Sequence, residues 1–134
     1  MKYMLDKNIL IYLIKNKPES VTQRVNALRE DDELCMSFVT YAELLKGAEG
    51  SARKADVLRR LDGLTRQVPV VYPSGAALCE HFAEQSVRLK ATGTPIGAND
   101  LWIACHALAE VAVLVTNNES EFKRVAGLTV ENWV

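Results

Sequence analysis

The chain of 134 residues is poor in the residue types that build disulfide frameworks and transition-metal sites. Its three cysteines, Cys35, Cys79 and Cys105, are far apart and form no C-x-x-C pair. Its two histidines are too few for a zinc cluster, and His106 beside Cys105 would point in another direction on a helix. The sequence therefore predicts buried, reduced thiols, as in a cytoplasmic protein, and argues against a zinc site.

Long apolar runs and an excess of basic residues are also missing. No run reaches the about 18 residues that a membrane span needs. The N-terminus has no basic segment that leads into a long apolar stretch and a small-residue cleavage site. We therefore expect a cytoplasmic protein with no membrane partner. The formal net charge of −1 argues against a general nucleic-acid coat protein but is compatible with an enzyme that contacts a few phosphates.

Short apolar runs alternate with amphipathic segments along the whole chain. Strand-like runs are KYML, LCMSF, VPVVY and VAVLVT, and LTVENWV is expected to end the chain with a last short strand. Helical periodicity recurs between them, as in the stripe of Val57, Leu58, Leu61 and Leu64. The alternation predicts a single α/β domain over residues 1–134, with a largely parallel sheet covered by helices on both faces.

The helices are expected between these strands. They are NILIYLIKN, a second helix beginning near Pro18, a third from about Tyr41 to Glu49, SARKADVLRRLDGL, a long helix from about Ser74 to Lys90, and DLWIACHALAE. The segment TGTPIGAN is rich in turn-forming residues and is expected to be a loop.

Three acidic residues occupy comparable places in this pattern. Asp6 ends the first apolar run, Glu43 lies in the first turn of the expected third helix, and Asp100 opens DLWIACHALAE. Because the carboxyl ends of parallel strands share one edge of a sheet, we expect the three carboxylates to meet there. Each acid also has a purely structural explanation. Asp6 suits a helix N-cap, Glu43 completes a capping box with Thr40, and Asp100 suits the positive end of a helix dipole.

Carboxylates that converge repel one another, and a divalent cation removes this repulsion. Mg²⁺ prefers hard oxygen ligands and keeps several waters, so a few carboxylates are enough to hold it. Such an ion can polarise a phosphoryl oxygen and activate a water for in-line attack. The pattern therefore favours metal-assisted chemistry on a phosphate ester, for which no histidine is required.

Four stretches of the chain closely resemble the PIN-domain ribonuclease toxins of the VapC type. They are MLDKNILIYLIKNKP, SFVTYAELLKGAE, GTPIGANDLWIACHA and LVTNNESEF, in the same order and with similar spacing. The resemblance implies a three-layer α/β/α PIN fold with a mainly parallel sheet and an endoribonuclease activity that depends on Mg²⁺ or Mn²⁺. It identifies Asp6, Glu43 and Asp100 as the first three members of a catalytic acidic quartet. We expect Asp6 and Asp100 to hold the metal.

The fourth acid is expected within TNNESEF. The family often has an Asp after the strand-end Thr or an acid just before the Phe. Here the nearer position is Asn118, and the acid before Phe122 is Glu121. We favour Glu121 as the fourth catalytic acid. Thr116, Asn8 and Asn118 match or adjoin polar positions that support the acids in this family.

Lys7 departs from the family's pattern. Similar proteins have Thr or Ser after the first Asp, and a hydroxyl there could bind a metal water or a neighbouring acid. A lysine brings a positive charge beside the expected cation, which should weaken metal binding if the ammonium points inward. If the ammonium points to solvent, only the hydroxyl is lost.

The resemblance also implies partners. A small VapB-type antitoxin is expected to neutralise the protein, and the complex is expected to bind operator DNA through the antitoxin alone. We expect a homodimer, with an antitoxin segment in a groove that leads to the acids. The expected substrate is RNA, and similar toxins of enteric and related bacteria cut initiator tRNA in the anticodon loop. Two alternatives remain: a catalytically impaired PIN domain that mainly binds its antitoxin, and a metal-dependent nuclease that acts on DNA.

A basic cluster lies in and just after the fourth expected helix. Its members are Arg53, Lys54, Arg59, Arg60 and Arg66. A solvated helix face is the ordinary reason for such a cluster. The alternative is a surface that contacts RNA phosphates or the antitoxin.

Overall fold

The structure is a computed structural model that describes residues 1–134. A sheet of five strands forms its centre, in the order β3-β2-β1-β4-β5. Every neighbouring pair is parallel, which confirms the expected sheet. The strands are β1 (Lys2–Leu5), β2 (Glu33–Ser37), β3 (Val70–Val71), β4 (Val113–Val115) and β5 (Val130–Glu131).

Seven helices connect the strands. The first six occur where the sequence predicted helices, whereas α7 is a single turn that was not expected. None of them is long and apolar enough to cross a membrane. They are α1 (Lys7–Lys15), α2 (Glu19–Asn26), α3 (Phe38–Glu49), α4 (Lys54–Gln67), α5 (Ala77–Ala91), α6 (Ala98–Ala109) and α7 (Glu119–Phe122).

The three central strands, β1, β2 and β4, contain the buried residues of the sheet, and consecutive residues of β1 belong to different cores. Met4 belongs to a cluster with residues of α6 and α7, whereas Leu5 belongs to a cluster with residues of α1, α2 and α4. Side chains of a strand point alternately to the two faces of a sheet. A strand with helices above and below therefore needs apolar residues at both positions. This arrangement is the expected α/β/α sandwich, and it places the ends of β1 and β4 side by side.

Helix α3 begins earlier than the sequence predicted. The Ser37 hydroxyl accepts a hydrogen bond from the N–H of Val39 at 3.2 Å and caps the helix directly where β2 ends. Glu43 therefore lies in the second turn and not in the first. The expected capping box of Thr40 and Glu43 is wrong, because Thr40 is buried inside the helix and its hydroxyl has no partner.

Three smaller expectations also need correction. Helix α5 begins at Ala77 and not near Ser74, because Gly75 has a φ of +104°, which a right-handed helix does not allow. Leu58 is 36% exposed, so the apolar stripe of α4 is narrower than expected. Cys79 is also exposed, whereas the other two cysteines are buried as predicted.

Candidate active site

Asp6 lies directly after β1, at the carboxyl edge of the sheet. Its Oδ1 accepts a hydrogen bond from the N–H of Lys7 at 2.8 Å and caps α1. Its Oδ2 accepts a hydrogen bond from Thr116 Oγ1 at 2.9 Å. The backbone N–H of Asp6 also donates to the carbonyl of Val115 at 2.9 Å. The carboxylate is therefore a helix cap, as one explanation predicted, and it is also oriented by the neighbouring strand.

Thr116 links the first acid to the segment that carries the fourth. It is buried and follows β4 directly. While its hydroxyl donates to Asp6, the same oxygen accepts a hydrogen bond from the N–H of Asn118 at 3.0 Å. The contact expected between Thr116 and an acid is therefore present.

Glu121 is held on α7 by two donors. Asn118 Nδ2 donates to its Oε2 at 2.7 Å, and the N–H of Gly97 donates to its Oε1 at 3.0 Å. The hydrogen bond from Gly97 is the main reason that the pKa of Glu121 lies below its usual value, and the bond from Asn118 adds to it. Glu121 is therefore ionised at neutral pH and joins α7 to the first residues of α6.

Asp100 lies in the first turn of α6, close to Glu121. A Cβ atom placed on Gly97 would lie 3.8 Å from Asp100 Oδ2 and 3.9 Å from Glu121 Oε1. Both carboxylates therefore flank the residue that caps α6. Gly97 was not anticipated from the sequence as part of the site, although its position before a helix with an acid in its first turn is a signal that could have indicated it.

The charge of Asp100 depends on all the other expected acids. Burial raises its pKa to about 6, and the negative charges of Glu121, Asp6 and Glu43 act in the same direction. The charge of Lys7 acts in the opposite direction. The fold therefore brings Glu121, Asp6 and Glu43 close enough to Asp100 for their charges to act on it.

Glu43 and Asn8 lack the contacts seen at the other positions. Glu43 is half-buried on α3, and neither its carboxylate nor that of Asp100 accepts a side-chain hydrogen bond or forms an ion pair. Asn8 is exposed on α1 and its side chain makes no hydrogen bond to the acids. A supporting role for Asn8 therefore stays a prediction.

The acids fit a divalent cation in chemistry, although the side chains do not form a closed cage. The structure contains no group of three or more His, Cys, Asp or Glu side chains arranged to hold a metal ion. The sequence led us to expect that the carboxylates of Asp6, Glu43 and Asp100 meet round one point. Their side chains are not arranged in this way in the structure. However, Mg²⁺ usually takes only one or two protein carboxylates and keeps several waters. Asp6 and Asp100 supply such hard oxygen donors, and a cation bound there would compensate the negative charges of Glu121, Asp6 and Glu43, which add to the effect of burial on Asp100.

Comparison with known proteins shows the family to which the chain belongs. The model of the PIN domain family matches residues 3–128. The ribonuclease VapC1 of Haemophilus influenzae strain R2866 is 50% identical over 133 residues, which cover 99% of this chain and 98% of the relative. The tRNA(fMet)-specific endonuclease VapC of Shigella flexneri is 40% identical over 133 residues, with the same coverage.

A solved structure shows the same fold over the whole chain. It is VapBC2 from Rickettsia felis bound to a DNA fragment from their promoter. The matched chain has a TM-score of 0.92 and 37% identity, with 100% of both chains covered. On the family match and these identities, the chain belongs to the PIN-domain family and, within it, to the VapC group.

Proposed function

We propose that the protein is a metal-dependent endoribonuclease toxin that a VapB-type antitoxin neutralises. The observation that carries this proposal is the placement of Asp6, Asp100 and Glu121 at the carboxyl edge of the sheet, where Thr116 donates to Asp6 and where Asp100 and Glu121 both lie beside Gly97. The names of the relatives favour RNA over DNA, and the relative from Shigella flexneri supports initiator tRNA as the substrate. We place the activity in the cytoplasm, where tRNA is found.

Asp6 and Asp100 would hold Mg²⁺ or Mn²⁺, and the hydrogen bond from Thr116 orients Asp6 for this role. When bound there, the ion supplies the positive charge that polarises a phosphoryl oxygen and lowers the pKa of a water. The Glu43 carboxylate has no hydrogen-bond donor, so it is free to accept a proton from the attacking water. The lowered pKa of Glu121 favours its ionised form, and its hydrogen bonds from Gly97 and Asn118 join α7 to the N-terminus of α6.

A groove along α1, with a larger part of mixed polar and apolar lining and a smaller apolar part, is the proposed antitoxin site. A cavity of about 740 Å³ opens between α1, α2 and α4, and a second one of about 220 Å³ continues between α1, α3 and α4. Ile14, Arg60 and Leu64 line both cavities. The second cavity reaches Leu44, the neighbour of Glu43. An apolar antitoxin segment in this groove would lie beside the helix that begins at the acid edge.

The basic cluster supplies one charge to this groove. Arg53 and Arg59 pair with Asp56, Arg66 pairs with Asp62, and Lys54 pairs with Glu49. These residues form the solvated helix face that the sequence predicted. Arg60 makes no ion pair, so it is the member of the cluster that is available to an acidic residue of the antitoxin.

In the complex, operator DNA would contact the antitoxin, and the PIN domain would take part in DNA binding only through it. The structure from Rickettsia felis with promoter DNA supports a DNA-bound complex. The net charge of −1 supports an indirect role for this chain. We also propose that two copies of the chain form a homodimer.

Cleavage of defined substrates tests the proposal. Purified, antitoxin-free protein is incubated with total tRNA and Mg²⁺, and the cut ends are mapped. We expect a cut in the anticodon loop of initiator tRNA, no cut with EDTA, and no cut of a DNA hairpin of the same sequence. The Glu43→Gln variant should bind the tRNA but cut it poorly. If the RNA stays intact at saturating Mg²⁺ and the DNA is cut, the protein is a nuclease that acts on DNA and the proposal is wrong. If a folded protein cuts neither substrate, the result favours a catalytically impaired PIN domain that mainly binds its antitoxin.

A further inference from the structure

Two segments beside the acid edge, the carboxyl end of the sheet where the site lies, contain basic residues but no acidic ones. The first covers residues 85–99, from α5 to the start of α6, and its charged residues are Arg88 and Lys90. The second covers residues 122–130, from the end of α7 to β5, and its charged residues are Lys123 and Arg124. Because the whole chain has a formal net charge of −1, this positive charge is a local feature and does not follow from the composition.

Hydrogen bonds of three side chains join the two segments. The buried amide of Gln85 donates through Nε2 to the carbonyl of Ala126 at 3.1 Å and accepts through Oε1 from the N–H of the same residue at 3.2 Å. Arg88 donates to Gln85 Oε1 through Nε at 3.2 Å and through Nη2 at 3.0 Å, and Nη2 also donates to the carbonyl of Arg124. Arg124 Nη1 in turn donates to the carbonyl of Pro95 at 2.9 Å. The two segments therefore form one surface, on which both guanidinium groups are held in place.

The basic surface formed by Arg88, Lys90, Lys123 and Arg124 is almost free of ion pairs. Lys123 lies 3.7 Å from Glu119, and the other three residues form no ion pair. The two guanidinium groups donate only to carbonyl and amide oxygens, which are uncharged. Nη1 of Arg88 and both Nε and Nη2 of Arg124 take no part in these bonds and are available to a further acceptor.

Backbone contacts place this surface directly beside the site. Arg124 donates to the carbonyl of Pro95, which lies two residues before Gly97. The N–H of Gly97 donates to Glu121, and a Cβ atom placed on Gly97 would lie 3.8 Å from Asp100 Oδ2. The N–H of Arg124 also donates to the carbonyl of Glu121 at 3.2 Å. The basic surface therefore adjoins the side of the site that α6 and α7 form.

An RNA chain bound at the acid edge must extend on both sides of the phosphate that is cut. The carboxylates of the site repel the neighbouring phosphates, which lie beyond the bound metal. Positive charge beside the carboxylates offsets this repulsion. Guanidinium groups suit phosphate oxygens in geometry, and groups that are already held in place lose little conformational entropy on binding.

We propose that the basic surface binds phosphates of the RNA substrate that neighbour the cut phosphate, on the α6 and α7 side of the site. The inference rests on the proposed function, because it takes RNA as the substrate. The proposed antitoxin groove is formed by α1 to α4, so an antitoxin segment in that groove would not need this surface. Phosphate contacts position a nucleic acid and carry no sequence information. The surface therefore contributes affinity and register and does not select among tRNAs.

The substitution Arg124→Gln removes one charge and keeps an amide that can donate to the carbonyl of Pro95, whereas Arg124→Lys keeps the charge. The matched control is Arg29→Gln. Arg29 is also exposed and without an ion pair, but it precedes β2 at the opposite edge of the sheet. Each change is made in the full-length Glu43→Gln protein, which should bind tRNA but cut it poorly. Filter binding in Mg²⁺ at several salt concentrations measures the Kd for initiator tRNA, and thermal unfolding checks the fold.

We expect Arg124→Gln to bind initiator tRNA about fivefold more weakly than the parent Glu43→Gln protein. The slope of log Kd against log salt concentration should fall by about 0.7, the value for one phosphate contact on a single strand. Lys90→Gln should act in the same direction, and because Lys90 is exposed, this variant decides the matter if Arg124→Gln does not fold. Arg124→Lys and Arg29→Gln should resemble the parent protein.

Three results would overturn the inference. In the first, Arg124→Gln and Lys90→Gln match Arg29→Gln in affinity and salt slope, and cleavage of tRNA by the wild-type protein then leaves the proposed function intact. In the second, Arg124→Gln weakens binding of the antitoxin but not of tRNA, which would assign the basic surface to the antitoxin. In the third, the parent protein does not bind tRNA even at low salt, and RNA as the substrate of the proposed function is then wrong as well.

Discussion

The substitution Asp6→Asn separates the two roles of the Asp6 side chain. Its Oδ1 accepts a hydrogen bond from the N–H of Lys7, and an amide oxygen accepts the same bond. Asn caps helices about as well as Asp. The change therefore keeps the cap and the shape of the side chain and removes one negative charge from the acid edge.

Two opposing effects determine the stability of this variant. Thr116 Oγ1 donates to Asp6 Oδ2 at 2.9 Å and would face an amide NH₂ group instead. A hydrogen bond to a charged group contributes about 1.5–3 kcal/mol. Against this loss, the substitution removes one of the negative charges that raise the pKa of Asp100. We therefore expect the free energy of unfolding to change by less than about 2 kcal/mol.

The effect on cleavage should be much larger. Removal of a preorganised electrostatic group typically lowers a rate by about 10²–10³, and here the group is also an anionic ligand for the expected metal. Single-turnover cleavage of initiator tRNA at saturating Mg²⁺ measures the rate, and urea unfolding measures stability. The control is Asp62→Asn, the same chemical change on the exposed face of α4, which should alter neither. Wild-type cleavage by Asp6→Asn would refute the metal-ligand role and leave Asp6 as a helix cap alone.

Three further predictions concern stability, partner binding and assembly. Asp100→Asn should stabilise the metal-free protein by about 1 kcal/mol above pH 6, because folding raises the pKa of this carboxyl to about 6 and so disfavours its ionised form. This stabilisation should disappear as the pH falls towards 4. Urea unfolding measures it, and an equal stabilisation above pH 6 and near pH 4 would contradict the prediction. Gly63 lines the larger cavity, and a Cβ atom there meets nothing within 4 Å. Gly63→Gln should therefore fold normally but bind the antitoxin at least about tenfold more weakly in calorimetry, whereas unchanged affinity would exclude this groove. Light scattering at micromolar concentration should give twice the mass of one chain, and a monomer would contradict the homodimer.

The fold was largely predictable because it depends on local patterns. The continuous apolarity of KYML and the alternation of strands with helices indicated a buried parallel sheet, and six helices were expected near their observed places. The start of α3 was missed because Ser37 provides a cap four residues before Tyr41, where the helix was predicted to begin. Helix α7 was missed because a single turn of four residues has no periodicity to detect.

The candidate site was predictable in its acids but not in the contacts that hold them. Asp6, Glu43 and Asp100 follow from their positions after strands and at helix starts, whereas Glu121 follows from the family resemblance. The hydrogen bond from the N–H of Gly97 to Glu121 joins residues that are 24 positions apart. No local pattern encodes such a tertiary contact.

The position of β1 in the sheet has a consequence for synthesis of the protein. Its first neighbour, β2, is available early, but its second neighbour, β4, is encoded more than 100 residues after β1. The hydrogen bond between Asp6 and Thr116 spans 110 positions. A nascent chain that has reached α5 therefore contains Asp6 and Glu43 but lacks Asp100, Thr116 and Glu121. Because domains generally fold as units, the acid edge is assembled only after most of the chain has been made. The part already made then includes every helix of the proposed antitoxin groove, from α1 to α4.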